Sequence, residues 1–518
     1  MPLTLDKFDI HELFSDHLSL LQVEAEQQEF QEAQNAPIFT VPVYETVEKK
    51  LSNGTEFCFP QYGLLGGLSE KMCQNTTVSN NDQDPRIFFN IASPSSTFIC
   101  GSQGSGKSHT LSCLLENCLF NSKASKLVNP LTGLVFHYDT FISDKGGSPC
   151  EAAFLSSSPD ITVRVLCSPA NLHTIKRVYS GLNVQIEPLR INESDLNTKR
   201  MLDLMAVSQD DGPMPLYLHM VSRILRDMHI EQQETETSFD YQSFKRRLMG
   251  TGMTSAQLGP LNQRLDTLES FMSKAQTGAD QPYIRKVGSQ GKEKGEGKES
   301  TVGKSGNNWT PKPGYLTIVD LSCPCVTPEG ACSLFNICLS IFLEQHTDVG
   351  RIIALDEAHK YMNASAEAST LTNTLLSTIR LQRHLGARVV ISTQEPTISP
   401  SLLDLSSLVI VHRFTSPAWL NSLKRHLAGA ASNMLNDDDT SSSDFPSSGE
   451  RDHDAKSLFS KIVKLTVGEA LLFSPSAMID VEVDSNGKMA LKRLGDGFIK
   501  IQVRMRLTID GGKSVMAV

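Results

Sequence analysis

No apolar run in this chain approaches the ~18–20 residues of a membrane-spanning helix. The longest, around Ser407–Val411 and Gly133–Phe136, are strand-sized. Basic charge is not in excess: 48 Lys and Arg against 58 Asp and Glu give a net charge of −10, which excludes a polybasic coat but not a local basic groove. Paired cysteines are missing too. The eleven are odd in number and scattered, so a disulfide framework is excluded. Cys323-Pro-Cys325 with Cys332 and Cys338 has no C-x2-C partner or histidine at zinc spacing and reads as buried thiols. The segment Met1–Asp9 has neither a basic n-region nor an apolar h-region, so an intracellular location, nucleus or cytoplasm, is expected. Without an export signal, the sequons at Asn53, Asn75 and Asn192 carry no weight. What is present is an ordinary globular composition, 39% apolar and 20% charged, enough for a large core and incompatible with whole-chain disorder.

Residues 1–84 form an N-terminal extension with a solvated helix (Leu13, Leu18, Leu21, Val23) and β-like pieces at Phe39–Tyr44 and Thr55–Phe59. An α/β pattern starts near Arg86. Residues 85–175 contain the buried strand Ser96–Cys100, a helix through Leu111, Leu114, Leu115 and Leu119, and strands at Gly133–Tyr138 and Ile161–Leu166. An all-α insertion is expected over 176–275, with Met201, Leu204, Met205, Met220, Ile224 and Met228 at helical spacing. Residues 276–314 read as a flexible basic linker (Arg285, Lys286, Lys292, Lys294, Lys298). Regular structure resumes over 315–430, with strands at Tyr315–Leu321, Arg351–Leu355, Ala387–Ile391 and Leu408–Val411. An acidic, Ser-rich loop fills 431–455, and 456–518 contributes C-terminal strands, one at Glu469–Phe473 and two across Phe498–Thr508. In the latter, Lys500, Arg504 and Arg506 alternate with Ile501, Val503 and Met505, which predicts one basic, solvated face. Strands alternating with helices predict an α/β fold: a mostly parallel sheet covered on both faces, with its ligand at the carboxyl ends of the strands.

One such end carries Gly101-Ser102-Gln103-Gly104-Ser105-Gly106-Lys107-Ser108, a fit to G-x-x-x-x-G-K-[ST] after a predicted strand and before a predicted helix. The glycines let backbone N–H groups wrap phosphates. Lys107 places a charge on the β- and γ-phosphates, Ser108 ligates Mg²⁺, and the helix start, His109 included, adds its positive end. Ile352–Leu355 delivers Asp356 to the same cation, and the adjacent Glu357 suits the general base for a water in line with the γ-phosphate. Gln394 ends the next strand and is a candidate γ-phosphate or water sensor, whereas Asp320 reads more readily as structural.

With these motifs in order, the chain resembles the HerA/FtsK-type P-loop ATPases, most of all the HerA-like ones. Gly101–Ser108, Leu355-Asp356-Glu357-Ala358-His359, Ser392-Thr393-Gln394 and Gly468–Pro475 carry the resemblance, over roughly 85–140 and 310–480. It implies ATP and Mg²⁺ as ligands, ATP hydrolysis, a homo-oligomeric ring and a polymer such as DNA as the object moved. It also implies an arginine supplied to a neighbouring subunit's γ-phosphate, for which Arg383 is the candidate and Arg380 and Arg413 are rivals. The N-terminal 80 or so residues, the two charged loops and the acidic net charge depart from that pattern. Asp356-Glu357-Ala358-His359 also spells a DExH helicase box, but Gln382-Arg383-x-x-Gly386 precedes Gln394 and no second motor lobe follows. The Ser-Gly-Gly signature of an ABC-type ATPase is missing before the acidic strand. The rival of another class is an ATP-dependent switch or scaffold with slow hydrolysis and protein partners, against which the intact Glu357 argues.

Overall fold

The computed structural model describes residues 25–50, 58–72, 84–141, 146–205, 216–277, 306–426, 458–483 and 489–512, with His17. The hydrophobic positions of the first helix before Ala25, the basic residues Arg285–Lys298 and the acidic run near Asp437 lie outside them.

Among the described residues, sixteen strands join one sheet. The N-terminal region supplies β1 (Ile38–Thr40), β2 (Tyr62–Leu68) and β3 (Arg86–Asn90). Then come β4 (Ser96–Cys100), the short β5 (Ser125–Lys126), β6 (Thr132–His137), β7 (Thr162–Cys167) and β8 (Val184–Pro188). After the helical segment follow β9 (Tyr315–Asp320), β10 (Arg351–Leu355), β11 (Ala387–Thr393) and β12 (Leu408–Val411). The C-terminal region adds β13 (Glu469–Phe473), β14 (Met478–Val483), β15 (Met489–Arg493) and β16 (Ile499–Val503).

The sheet has two sections. The order β12-β4-β11-β10-β6-β9-β7-β8 is parallel throughout. Its central strands, β4, β6, β10, β11 and β12, are buried at every position, as strands covered on both faces must be. Alternate residues feed opposite cores: Phe98 and Cys100 pack on one side and Ile99 on the other. From β12 outward, β13, β16, β2, β3 and β1 continue the sheet in antiparallel fashion, and the β14–β15 hairpin closes that edge. The N-terminal region is thus part of the same sheet as the phosphate-loop strand.

Four details differ from the sequence reading. Residues 41–50 form a helix, Val41–Lys50, and only Ile38–Thr40 is strand. Pro42 suits a first helical turn, where its missing N–H has no partner to lose, and Val43 and Val47 share the buried side. Val184–Pro188, within the segment expected to be all helical, is the sheet's edge strand, short and ended by proline as edges tolerate. The hairpin β14–β15 was not anticipated. Finally, the C-terminal region has one strand over Ile499–Val503 in place of two, and the chain then runs as an irregular strap across the phosphate-loop helix Lys107–Leu119.

That strap revises the basic face expected there. Arg504 turns inward to Glu116, 2.8 Å away, and also reaches the Leu64 carbonyl and Asn117. Arg506 pairs with Glu151. Lys500 binds Glu469 at 2.6 Å. Glu116, fully buried, also accepts from the backbone N–H groups of Leu507 and Thr508 and from the Thr508 hydroxyl. Burial opposes its charge, but Thr508 and Arg504 outweigh that and hold the carboxyl below its ordinary range.

Candidate functional site

The site forms where β4, β11 and β10 end side by side, with β11 inserted between the phosphate-loop strand and the strand of Asp356. This order brings the residues after Cys100, Thr393 and Leu355 to one edge, the carboxyl end at which parallel sheets bind ligands.

Gly101–Gly106 turns from β4 into the helix Lys107–Leu119. Gly106, at the helix N-cap, has φ of 111°, a conformation that disfavours any side chain. A Cβ at Gly101 would come within 2.7 Å of the His412 Cβ. No side chain caps the helix, so its first N–H groups face the loop's concavity. Ser102 anchors the loop through its N–H and hydroxyl, both on the Arg413 carbonyl at 2.8 and 2.9 Å. Lys107 is buried, with its Nζ 3.0 Å from the Ser102 carbonyl. Burial lowers its pKa, while Glu357 and Asp356 favour its charged form. The His109 ring lies 2.8 Å from the Arg504 carbonyl, so its side chain faces the C-terminal strap and only its backbone remains at the helix start.

Behind the loop sits His412, fully buried at the end of β12. Its Nδ1 lies 3.0 Å from the Glu469 carbonyl and its Nε2 2.9 Å from the Thr110 hydroxyl. A carbonyl only accepts, so Nδ1 carries the proton and Nε2 accepts from Thr110. Burial holds this ring neutral, with its pKa depressed to about 4.

Asp356 follows β10 and is buried. Its Oδ2 lies 3.2 Å from His137 Nδ1 and 3.8 Å from the Cys150 thiol. Burial opposes its charge, but the His137 hydrogen bond and charge outweigh it and hold the carboxyl below its usual value. Its other oxygen, Oδ1, is buried with no protein partner. A free carboxylate oxygen of this kind is of the type that fits a divalent cation, directly or through a water.

Glu357 adopts φ 48°, one of only two non-glycine residues at positive φ among those described. Its Oε2 accepts from Gln394 Nε2 at 2.9 Å and lies 3.4 Å from His359 Nε2. The Gln394 backbone N–H donates to His359 Nδ1 at 3.3 Å. Nδ1 is therefore an acceptor, and Nε2 carries the ring's one proton toward Glu357. Burial lowers the His359 pKa against the pull of Glu357, in keeping with this neutral form. Gln394, Glu357 and His359 thus form one hydrogen-bonded unit at the loop's rim.

Not every expected residue joins it. Asp320 is buried on β9, accepting from the Tyr179 hydroxyl at 2.6 Å and the Ser322 N–H at 2.9 Å, a structural arrangement. Arg383 is exposed on the short helix Gln382–Leu385, before the first residue of β11, while Gln394 follows the last. Seven residues of strand separate the two by about 20 Å, so Arg383 cannot reach the phosphate loop of its own chain. Arg380 is at that same remote end, and Arg413 sits beside the loop. The cysteines 323, 332 and 338 are buried free thiols, and Cys325 is exposed. The sequence reading missed His137, Cys150, His359 and His412 as parts of the site. The only signal for two of them was position: His137 and His412 end buried strands.

No family model matches the chain, and no curated protein matches it. Among solved structures, it is similar to VirB4 of Thermoanaerobacter pseudethanolicus (11% identity, 86% of this chain and 96% of that one, TM-score 0.40). It is also similar to the bacterial conjugative coupling protein TrwBΔN70 (11% identity, 81% of this chain and 87% of that one, TM-score 0.42). A third is the genome-packaging NTPase B204 of Sulfolobus turreted icosahedral virus 2 in complex with AMP (11% identity, 35% and 68%, TM-score 0.20). Overlaps this loose carry no weight for the site, which stands on its own residues.

Proposed function

We propose that the protein binds ATP with Mg²⁺ and hydrolyses it to ADP and phosphate, as a HerA/FtsK-type motor acting on DNA or another polymer. The observation that supports this best is the Gln394–Glu357–His359 unit beside the phosphate loop: a carboxylate that accepts from the Gln394 amide, just past the strand next to the loop, and lies 3.4 Å from the His359 ring that the Gln394 backbone holds. Lys107 and the helix N-terminus hold the β- and γ-phosphates. Ser108 and Asp356 hold the cation, which when bound offsets phosphate charge. Glu357 takes a proton from the water that attacks the γ-phosphorus, and ADP leaves with the electrons of the broken P–O bond. Gln394, bonded to Glu357, is placed to link that base to the γ-phosphate. Arg383 serves this chemistry only on a neighbouring copy, which makes a homo-oligomeric ring part of the proposal.

The test is ATP turnover by purified protein, alone and with single-stranded or duplex DNA, beside Glu357→Gln. Turnover that needs Glu357 and rises several-fold with DNA supports the motor. Tight ATP binding with slow turnover, indifferent to DNA and to Glu357, replaces it with a switch or scaffold.

A further inference from the structure

A cavity of about 410 Å³ lies at the sheet edge remote from β4, lined by Arg164, Glu187, Arg190, Asn307, Lys312 and Tyr315 among others. Among the described residues, three cations face it against one carboxylate. Arg164 projects from the middle of β7 and is 6% exposed. Its Nη1 donates to the Asn308 carbonyl at 2.8 Å and its Nη2 to the Thr317 hydroxyl at 3.1 Å, while its Nε is buried with no partner. Among the described residues, the Arg190 guanidinium donates to the carbonyls of Ser270 and Met272, at 3.1 and 3.5 Å. Lys312 and Arg164 both lie over the Tyr315 ring, at 5.8 and 5.5 Å. Glu187 is engaged by Asn307 at 3.2 Å. Among the described residues, then, neither guanidinium has a carboxylate partner.

A buried guanidinium is ordinarily matched by an anion, because desolvation penalises an isolated charge. Here burial works against Arg164, and only the more distant Tyr315 and Glu187 favour its charge. The cavity is separate from the nucleotide site: Tyr315 begins β9, so it lies toward the end of the parallel section opposite the phosphate loop.

We propose that this cavity is a second anion site that binds a phosphate group, held by Arg164, Arg190 and Lys312. Phosphate matches the summed charge of Arg164, Arg190 and Lys312, and an arginine and a lysine at the rim suit its oxygens. The group could come from a small phosphate ester or from a nucleic-acid backbone, and the experiment separates these sources.

The measurement is calorimetric titration of pyrophosphate into full-length protein carrying Lys107→Ala, which disables the phosphate loop. One pyrophosphate per chain should still bind. Adding Arg190→Gln with Lys312→Gln, both at the cavity's rim, should weaken that binding about tenfold or more. These rim changes spare the buried Arg164, whose replacement could impair folding. Displacement of pyrophosphate by a short oligothymidylate assigns the site to a phosphodiester backbone, and no displacement assigns it to a small phosphate ester. If Lys107→Ala removes all binding, or if the remaining binding ignores both rim changes, the proposal falls. Neither result depends on whether the nucleotide site hydrolyses ATP.

Discussion

The parallel and antiparallel sections of the sheet do different work. In the parallel section, consecutive buried strands put Gly101–Ser108, Asp356–Glu357 and Gln394 at one edge, and each strand neighbours others within the core region of the chain. The antiparallel section is assembled from the chain's distant regions: β16 lies between β13 and β2, and the strap after it packs on the phosphate-loop helix. The first section holds the groups proposed to react, and the second packs on the helix and loop that carry Lys107 and Ser108. Chemistry and rigidity are therefore separable by mutation.

The largest expected effect comes from the parallel section. Glu357→Gln should lower ATP turnover by about 10²-fold or more while leaving ATP binding and the urea midpoint close to wild type. Breaking the strap should do the reverse. Arg504→Met leaves Glu116 buried beside fewer donors and should cost about 3 kcal/mol or more of stability, read by urea denaturation, because removal of one partner from a buried pair is expensive. If Arg504→Met leaves stability unchanged, the second section is not the brace described.

His412 joins the two sections, so its titration sharpens the comparison. Its pKa is about 4 in the fold against an ordinary 6.5. Between those values the unfolded chain binds the proton and the fold does not. The contribution is complete above pH 6.5 and is lost as pH falls toward 4, about 3 kcal/mol at most. Urea midpoints of wild type and His412→Gln should differ in pH dependence over that window; parallel profiles would refute it. The smallest effect belongs to Lys500→Ala: its pair with Glu469 is partly exposed and should be worth under about 1 kcal/mol in the same denaturation assay.

The same division explains how much the sequence disclosed. The phosphate loop, Asp356, Glu357 and Gln394 were legible because each sits beside a buried strand with a fixed chemical spacing. The α/β fold followed from strands alternating with helices. The antiparallel section was not legible, since its pairings are long-range: β2 with β16 is decided by residues hundreds of positions apart. Arg504 and Arg506 read as a basic face because alternation shows which side they share, not that Glu116 and Glu151 wait beneath. Val184–Pro188 was absorbed into the helical segment because five residues, four half-buried and one exposed, give little period. His137 entered the site through a contact with Asp356, 219 positions away, that no local pattern records, whereas His359 stood in the acidic motif without a role being read for it.

One consequence of β16 concerns time. Arg504 hydrogen-bonds the Leu64 carbonyl across 440 positions of chain, so the gap between β2 and β13 stays open until residue 503 has been synthesised. Until then a nascent chain carries two unpaired strand edges of the kind that recruit other chains. The phosphate-loop helix likewise has no strap across it. A ribosome that stalls before residue 503 therefore releases a chain prone to aggregate, one that folding helpers or proteases meet before any nucleotide does.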